Sequence, residues 1–582
     1  MTQYNGIEID YSRDDLLEEF GLTLLKEKYL KNNEKSPQEA YARTAVAFCG
    51  GDLELAQRIY DYVSKRYVGF ASPVLSNSTY AGEPIKSLPI SCFASMAPDN
   101  LQGLIDHSSE IRWLTVMGGG TAGHWSSIRA VSDKAPGPIP FIKTLDADID
   151  AYAQGKTRRG SYAAYLDVSH PDIMEFIKLR VPTGDASRKC NSVGFHNAVN
   201  ISDAFMKAVK ENSDWPLIDP HSKEVRDIVK ARELWQEILI TRHRTGEPYL
   251  TFIDTANRAL PIYQRKKGLS IKGSNLCNEI YLPTDEERSF VCCLSSLNAE
   301  MYREWYDTNI VEDLVTFLDN VIQVFIDNCP PQLSKSKYSA MMERALGLGV
   351  MGLHSLYQKE FIPFESKEAF DLNNELFALI KDRATLQTYK LAQERGEPED
   401  CKGTGRRNSH LLAVAPTANN AIIIGTSPSI EPQPANVYLQ KTRIGSFVVK
   451  NKFLKEHLAK LGLDTEETWK SITINDGSVQ HLDIPDDVKA VFRTAIETDQ
   501  MAIVEQAGER QKYICQGQSL NLFFKAETTK KYFREVHERA FEVGCKGLYY
   551  VRAKTKNSVR AASTKQERQK IDVEPESCEA CQ

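Results

Sequence analysis

Three side chains with complementary chemistry occupy alternate positions of one short segment, residues 275–279, which reads Asn-Leu-Cys-Asn-Glu. In an extended backbone, side chains two positions apart point to the same face. Asn275, Cys277 and Glu279 would then offer one pocket an amide, a thiol and a carboxylate that could act as a general base. This combination suits a substrate with neighbouring hydroxyl groups. A single cysteine beside a leucine is more often buried packing, so the interpretation depends on the rest of the chain.

Other cysteines could supply electrons to such a pocket. Cys92 and Cys292 lie on either side of Cys277 in the sequence, and Cys293 directly follows Cys292. Each of them could simply be a core residue. Two thiols can also give two electrons to a substrate and become a disulfide, which would leave a pair that has to be reduced again.

A further cysteine pair, Cys578 and Cys581, follows a polar stretch at residues 554–576. Zinc would need two more ligands at short spacing, and no second Cys or His pair lies nearby in the sequence, so we predict no metal site. The composition predicts a mobile tail, and 28 residues of flexible coil would reach roughly 30 Å. The pair could therefore carry electrons between a buried site and the surface.

Two adjacent tyrosines, Tyr549 and Tyr550, stand just before this tail. Such a pair is usually part of a strand, with one ring buried and the other exposed. Tyrosines are also the side chains that can carry an electron and a proton through a protein. Radical chemistry at the cysteines would use them.

The elements that must position these residues indicate an α/β protein. The first ninety residues have a helical pattern, and Ser36, Pro37 and Glu39 combine three signals of a helix start. From about residue 68 onward, short β-branched segments such as 197–201 alternate with amphipathic helices such as 311–328. Strands that alternate with helices are typical of α/β folds.

A Gly-x-Gly-x-x-Gly pattern at residues 347–352 matches the dinucleotide-binding fingerprint. That fingerprint requires a strand directly before it. Residues 338–346 have a helical pattern instead, so we predict that these glycines serve close helix packing.

Composition limits the class of protein. The chain has 582 residues, 42% hydrophobic and 26% charged, in the ordinary soluble range. No apolar run is long enough for a membrane span, and residues 1–15 lack the apolar region of a secretion signal. Twelve cysteines without such a signal favour a reducing cytoplasm. The net charge of −6 gives no electrostatic reason to bind nucleic acid or membrane.

Together these residues resemble the large (alpha) catalytic subunit of class I ribonucleotide reductase, from about residue 70 to the C-terminus. The resemblance implies that Cys277 becomes a thiyl radical and abstracts the 3′ hydrogen of the ribose. Asn275 and Glu279 would bind and deprotonate the ribose hydroxyls. Cys92 and Cys292 would be oxidised to a disulfide in each turnover.

The same resemblance gives roles to the tyrosines and the tail. A separate dimetal beta subunit would generate the radical, which would pass through Tyr550 and then Tyr549 to Cys277. Cys578 and Cys581 would reduce the active-site disulfide and be reduced in turn by thioredoxin or glutaredoxin. This chain itself would then hold no radical cofactor.

Nucleotide-binding residues follow from the resemblance too. Besides Asn275 and Glu279, the implied substrate-binding residues are Ser72, Ser91, Pro416, Thr417, Ala418, Asn419 and Asn420. A loop that opens a helix, as at residues 415–420, offers backbone N–H groups to a phosphate. An allosteric specificity site at a homodimer interface, which binds ATP or a deoxynucleotide effector, is implied at Asp99, Leu101, Arg129, Gln154, Arg158 and Arg159.

The implied fold is a ten-stranded α/β barrel of two five-stranded halves, with Cys277 on a central finger loop. We expect a helical N-terminal region at residues 1–70, the barrel at 71–553 and the tail at 554–582. Residues 1–70 show no start of the ATP-cone domain that many relatives carry. This predicts control of substrate specificity without cone-based inhibition.

Alternative functions stay open. A class II, adenosylcobalamin-dependent reductase shares the barrel and the cysteines but makes its radical locally, so the Tyr549–Tyr550 pair argues against it. A glycyl-radical reductase is disfavoured because the expected Gly motif is missing near Cys578. A catalytically silent nucleotide-binding regulator would tolerate Cys277→Ser, whereas the enzyme would lose all turnover. Whether Cys292 or its neighbour Cys293 pairs with Cys92 also stays open.

Overall fold

The structure is a computed structural model that describes residues 2–31, 33–85, 87–152, 160–181, 190–441 and 446–553. The predicted tail at residues 554–582, with Cys578 and Cys581, lies outside the described residues. The same holds for three residues of the implied specificity site, Gln154, Arg158 and Arg159.

The strands of the described residues are, in chain order, β1 (Thr2–Tyr4), β2 (Ile7–Ile9), β3 (Val68–Phe70), β4 (Cys92–Met96), β5 (Gly120–His124), β6 (Tyr162–Asp167), β7 (Phe195–Ile201), β8 (Asp214–Ile218), β9 (Val225–Lys230), β10 (Tyr249–Phe252), β11 (Phe290–Asn298), β12 (Leu346–Met351), β13 (Val437–Lys441), β14 (Ser446–Lys450), β15 (Leu522–Phe524), β16 (Gly547–Leu548) and β17 (Val551–Ala553). The α-helices are α1 (Glu19–Lys28), α2 (Pro37–Ala47), α3 (Leu53–Ser64), α4 (Ser72–Asn77), α5 (Leu101–Val116), α6 (Ile139–Ala151), α7 (Ile173–Phe176), α8 (Asp203–Glu211), α9 (Ala231–Thr245), α10 (Ile253–Ala259), α11 (Ile262–Lys266), α12 (Tyr302–Trp305), α13 (Ile310–Asn328), α14 (Ser334–Glu343), α15 (Leu353–Lys359), α16 (Lys367–Arg395), α17 (Ala418–Ile424), α18 (Lys452–Lys460), α19 (Glu466–Ile474), α20 (Asp486–Val491), α21 (Gln500–Gln511) and α22 (Lys530–Glu542). Short 3-10 helices lie at Tyr11–Leu16, Ala299–Met301, Pro331–Leu333 and Glu399–Cys401.

The N-terminal region is helical from Tyr11 onward but begins with a strand pair. Ser36 caps α2, and its side chain accepts a hydrogen bond from the Gln38 N–H at 3.1 Å, as the start signals predicted. The first nine residues differ from the helical prediction, because β1 and β2 pair antiparallel around Asn5 and Gly6. Both turn residues have positive φ, 49° and 88°, which is the signature of a two-residue Asn-Gly hairpin.

Five parallel strands form the first half of the main sheet. Their order is β4, β5, β6, β7 and β10, and each is hydrogen-bonded in parallel to the next. At β4 the direction reverses, because β11 pairs with it antiparallel. This reversal marks the junction with the second half of the sheet, where β11 pairs in parallel with β12. The short strand β3 pairs antiparallel with residues 295–297 of β11, on the side opposite β12.

Less regular segments complete the second half and close the sheet on itself. Parallel bridges join β12 to residues 411–414, and these to residues 516–520. The Tyr549 N–H then donates to the Leu520 carbonyl at 2.9 Å, and β16 pairs antiparallel with β10. With these two segments counted, each half has five members. The prediction of a ten-stranded barrel in two halves matches this arrangement.

Two of the three glycines of residues 347–352 lie in a strand and not in a helix. The residues before them are helical, as predicted, because α14 ends at Glu343. Gly347 and Gly349 belong to β12, and Gly352 is the N-cap of α15, so the prediction of close helix packing is wrong. A Cβ atom at Gly347 would collide with the Leu294 side chain and lie 3.0 Å from Cys292 Sγ. The glycine thus lets the neighbouring strand approach a cysteine of the predicted site.

Candidate active site

The predicted finger loop lies between α11 and β11 in the chain and contacts the strands β6, β10 and β16. The Asn278 side chain anchors it: its Nδ2 donates to Leu250 O of β10 at 2.9 Å and to Leu548 O of β16 at 3.1 Å. The Tyr165 hydroxyl of β6 donates to Asn275 O at 2.5 Å. The loop therefore crosses the barrel where the two halves meet.

The loop backbone is a turn at residues 275–279, which corrects the extended conformation we expected. The Asn278 N–H donates to Asn275 O at 3.3 Å, and Asn278 has a φ of 62°. Asn275 Oδ1 holds the turn by accepting the N–H groups of Glu279 and Ile280, both at 3.0 Å. Asn is among the residues that tolerate this left-handed conformation, which explains how the turn forms without glycine.

The side chains of Asn275 and Glu279 nevertheless converge, and they meet at the thiol of Cys92. Asn275 Nδ2 donates to Cys92 Sγ at 3.4 Å, and the Cys92 thiol donates to Glu279 Oε1 at 3.9 Å. Asn275, Cys277 and Glu279 are all fully buried. Ser519, which the sequence did not indicate, donates to both Cys277 O and Glu279 Oε2, the latter at 3.1 Å. The site thus combines an amide, two thiols and a carboxylate away from water.

The sheet register places Cys292 directly opposite Cys92. The two residues are cross-strand partners in β11 and β4, so their side chains point to the same face. Cys293 points the other way, where its thiol donates to Leu318 O of α13 at 3.5 Å. Burial raises the pKa of Cys292 well above its usual range. Its sulfur also accepts the Gln516 side-chain N–H at 3.6 Å, a contact that the sequence did not predict.

The two adjacent tyrosines form a chain of contacts that ends at Cys277. The Tyr549 hydroxyl donates to Cys277 Sγ at 3.4 Å. The rings of Tyr549 and Tyr550 have centroids 4.3 Å apart. Tyr249 of β10, which the sequence did not single out, packs against both rings at 4.7 and 5.0 Å. All three tyrosines are buried, so the path from Tyr550 to Cys277 is a continuous set of side-chain contacts.

The predicted substrate-binding residues lie on elements that meet beside β3. Residues 416–420 do open a helix, because α17 begins at Ala418 with Thr417 as its N-cap. Asn420 Nδ2 donates to Phe70 O at 2.8 Å, just before Ser72 at the start of α4. Ser72 is buried and shares a hydrogen bond with Tyr29.

The implied substrate residue Ser91 has an unused polar group. Ser91 directly precedes Cys92, and only 1% of it is exposed. Within the described part of the chain its hydroxyl has no hydrogen-bond partner. Buried hydroxyls are normally paired, so this oxygen is available to a bound molecule.

Part of the implied specificity site is assembled at the start of α5. Arg129 Nε lies 3.0 Å from Asp99 Oδ2, and this hydrogen bond raises the pKa of Arg129. His221 Nδ1 approaches the same carboxylate at 3.1 Å. Leu101, the first residue of α5, is 73% exposed. Charged groups and an exposed apolar surface therefore stand side by side.

Known protein families show the same organisation. The ribonucleotide reductase barrel domain matches residues 90–403 and 397–551, and the ribonucleotide reductase all-alpha domain matches residues 15–82. The chain belongs to the ribonucleotide reductase family. The barrel fold predicted from the sequence is thereby confirmed.

Individual members of the ribonucleotide reductase family are similar over nearly the whole chain. A putative ribonucleoside-diphosphate reductase large subunit of Frog virus 3 (isolate Goorha) is 52% identical over 546 residues, which cover 93% of this chain and 95% of that protein. The ribonucleoside-diphosphate reductase large subunit of Invertebrate iridescent virus 3 is 42% identical, with 94% and 95% covered. The solved class Id ribonucleotide reductase alpha subunit of Actinobacillus ureae has a TM-score of 0.83 at 34% identity, over 95% of this chain and 99% of that one.

These ribonucleotide reductase relatives establish the enzyme class. The function is that of a ribonucleoside-diphosphate reductase large subunit, an oxidoreductase. Large subunits of the family work with a small subunit and use nucleotide effectors. No helix in the described part of the chain has both the length and the apolar character of a membrane span.

Proposed function

We propose that the chain reduces ribonucleoside diphosphates to 2′-deoxyribonucleoside diphosphates for DNA synthesis, by a thiyl-radical mechanism. One observation carries the proposal: the contact path from Tyr550 through Tyr549 to Cys277. The tyrosine ring centroids are 4.3 Å apart, and the Tyr549 hydroxyl lies 3.4 Å from the sulfur. A hydrogen atom can cross such a distance without rearrangement of the chain.

The radical enters from outside this chain. A separate dimetal subunit supplies a one-electron oxidant, which oxidises Tyr550 first and Tyr549 next. Tyr549 then takes the hydrogen atom of the Cys277 thiol, so that the tyrosine is restored and Cys277 becomes a thiyl radical. A bound adenosylcobalamin would make this route unnecessary, and the buried tyrosine pair therefore supports the class I mechanism.

Reduction uses the remaining polar groups of the pocket. The thiyl radical of Cys277 abstracts the 3′ hydrogen, Glu279 accepts a proton from a ribose hydroxyl, and water leaves from C2′. Cys92 and Cys292 supply two electrons and two protons and become a disulfide. Cys277 finally returns its hydrogen to C3′. Burial of the whole site supports this chemistry, because a reactive intermediate must be protected from water.

Substrate binding and re-reduction use different parts of the chain in this proposal. The N-terminus of α17 and the free Ser91 hydroxyl support binding of the diphosphate and the ribose. We further propose that Cys578 and Cys581 re-reduce the Cys92–Cys292 disulfide and are then reduced by thioredoxin or glutaredoxin. Substituting either tail cysteine should leave one turnover per active site and abolish the following ones.

Substrate choice is controlled at a homodimer interface in this proposal. The Asp99–Arg129 pair and the exposed Leu101 support an effector site at the start of α5. ATP or a deoxynucleotide bound there selects the base that is reduced.

The radical route is tested by Tyr549→Phe, assayed with the purified small subunit. Phenylalanine keeps the ring packing and removes the hydroxyl that contacts Cys277, so turnover should fall to background while nucleotide binding is kept. Tyr389→Phe is the matched control, because Tyr389 is 39% exposed on α16. Near-normal turnover of Tyr549→Phe, or turnover with adenosylcobalamin and no small subunit, would contradict the proposal.

A further inference from the structure

We propose that His196, held in place by Glu247, accepts the phenolic proton of Tyr550 when Tyr550 is oxidised. This inference rests on the proposed function, since it concerns the outermost tyrosine of the radical path. It assigns a proton-transfer role to two residues that lie far from the cysteine pocket in the sequence.

The geometry around the Tyr550 hydroxyl carries the inference. The oxygen lies 3.2 Å from His196 Nδ1 and 3.4 Å from His196 Nε2, so both imidazole nitrogens are within hydrogen-bond distance of it. His196 Nδ1 also lies 2.8 Å from Glu247 Oε1. If Nδ1 carries the hydrogen and donates it to the carboxylate, Nε2 keeps a lone pair for the tyrosine proton.

The contacts among His196, Tyr550 and Glu247 are buried, unlike those of a surface hydrogen bond. His196 and Tyr550 are each 7% exposed and Glu247 is 4% exposed. The Tyr249 ring stacks on the imidazole with centroids 5.7 Å apart, which holds the ring plane. A carboxylate that orients a histidine and stabilises the imidazolium is the arrangement by which proteins make histidine a base.

The two tyrosines differ in what their hydroxyl groups contact. Tyr549 donates to Cys277 Sγ, so its electron and proton can move to and from the sulfur together. Tyr550 passes its electron outward to the oxidant on the small subunit, and the proton needs a separate acceptor. His196 is the basic side chain that contacts this hydroxyl among the described residues.

In the proposed step the electron and the proton of Tyr550 go to different acceptors. The one-electron oxidant of the small subunit removes an electron from Tyr550, the O–H bond breaks, and an N–H bond forms at His196. Tyr550 becomes a neutral phenoxyl radical and His196 an imidazolium. The radical then takes a hydrogen atom from Tyr549, while His196 stays protonated. When the radical returns to the small subunit after turnover, His196 gives the proton back to Tyr550.

The charges around the imidazole explain why a carboxylate is required. The Arg552 guanidinium lies 4.9 Å from the centre of the Tyr550 ring, and Arg180 Nε lies 3.8 Å from Glu247 Oε2. The buried Arg242 also faces Glu247. These positive groups would oppose a protonated histidine, and Glu247 is the negative group that offsets them.

The test compares His196→Gln with wild type in the complete enzyme, with the small subunit present. Glutamine can hydrogen-bond to Tyr550 but does not take up a proton. We expect kcat to fall by about 10²-fold or more, the range of a positioned base, with effector and small-subunit binding unchanged. Glu247→Gln should cause a smaller loss of the same kind. His243→Gln is the matched control, because His243 packs on Phe533 and touches none of these groups.

Chemical rescue separates proton transfer from a structural effect. Added imidazole should restore turnover to His196→Ala, and more basic substituted imidazoles should restore it faster. Tyr550→Phe should show no rescue. If His196→Gln does not fold, the result for Glu247→Gln and the rescue of His196→Ala decide the question.

The outcomes distinguish this inference from the proposed function. If Tyr550→Phe keeps near-normal turnover, the radical route itself is wrong. If Tyr550→Phe is inactive while folded His196→Gln turns over like wild type, only the role of His196 is overturned. Absence of imidazole rescue in a folded His196→Ala protein would also overturn it.

Discussion

At the scale of single residues, strand register decides which thiols can react together. Cys292 and Cys293 are adjacent in sequence, and either could pair with Cys92 on sequence grounds. Successive residues of a strand point to opposite faces, and the β4–β11 register puts Cys292 across from Cys92. Cys293 instead donates to Leu318 O in α13. The register therefore favours Cys292 over Cys293 as the partner of Cys92.

We predict that Cys292→Ser abolishes repeated turnover, whereas Cys293→Ala keeps it. Cys293 fills space against α13, so its truncation should lower the free energy of unfolding by about 1 kcal/mol and leave the pocket intact. Mass spectrometry of the protein oxidised by substrate should find Cys92 linked to Cys292. A peptide that links Cys92 to Cys293 would contradict the assignment.

At the scale of elements, the finger loop depends on one turn residue. Asn278 has a φ of 62°, and its amide joins β10 to β16, the strands that close the barrel. Its Oδ1 accepts from Thr251 Oγ1 at 2.8 Å and from the Tyr281 hydroxyl at 3.1 Å. The side chain that shapes the loop is therefore also the one that fixes its position.

Two substitutions of Asn278 should separate the contribution of its buried hydrogen bonds from that of its positive φ. Asn278→Ala loses the buried hydrogen bonds and strains the backbone, so it should lower the unfolding free energy by about 3 kcal/mol. Asn278→Gly loses the same bonds without the strain and should be more stable than the alanine variant by about 1 kcal/mol. Urea unfolding of both variants measures the difference. Equal stability would show that the positive φ costs alanine nothing.

The sequence predicted which residues converge but not how they do so. Alternation predicted that Asn275 and Glu279 share a pocket, and both contact Cys92 although the backbone there is a turn. Ser519 and Tyr249 reach the site through sheet register, which brings residues more than two hundred positions apart into contact and leaves no local pattern. The barrel class followed from motifs of the family.

The sequence pattern did not predict the irregular strand at residues 411–414, and the reason is physical. At residues 411–412 the backbone N–H groups donate to Cys515 Sγ at 3.1 and 3.2 Å. The sulfur of a side chain therefore accepts hydrogen bonds that carbonyl groups of a neighbouring strand would accept in a regular sheet. Two successive N–H groups that donate to one sulfur also depart from the regular strand geometry on which an alternating pattern depends.

At the scale of the whole molecule, α5 presents an apolar surface beside charged groups. Leu101, Ile105 and Val116 are 73%, 55% and 42% exposed and lie on one side of the helix. The Asp99–Arg129 pair directly precedes the helix. Exposed apolar side chains beside charged groups are typical of a protein interface, and we propose that two copies of the chain meet here.

Ile105→Glu should therefore weaken the homodimer and uncouple the effector from substrate choice. A charge in the apolar centre of an interface typically costs more than 1 kcal/mol, so the dissociation constant should rise about tenfold or more. Sedimentation velocity measures the dimer, and competition between two substrates measures the effector response. Ile474→Glu is the matched control, since Ile474 is 60% exposed at the end of α19. If Ile105→Glu sediments as wild type and keeps its effector response, the interface lies elsewhere.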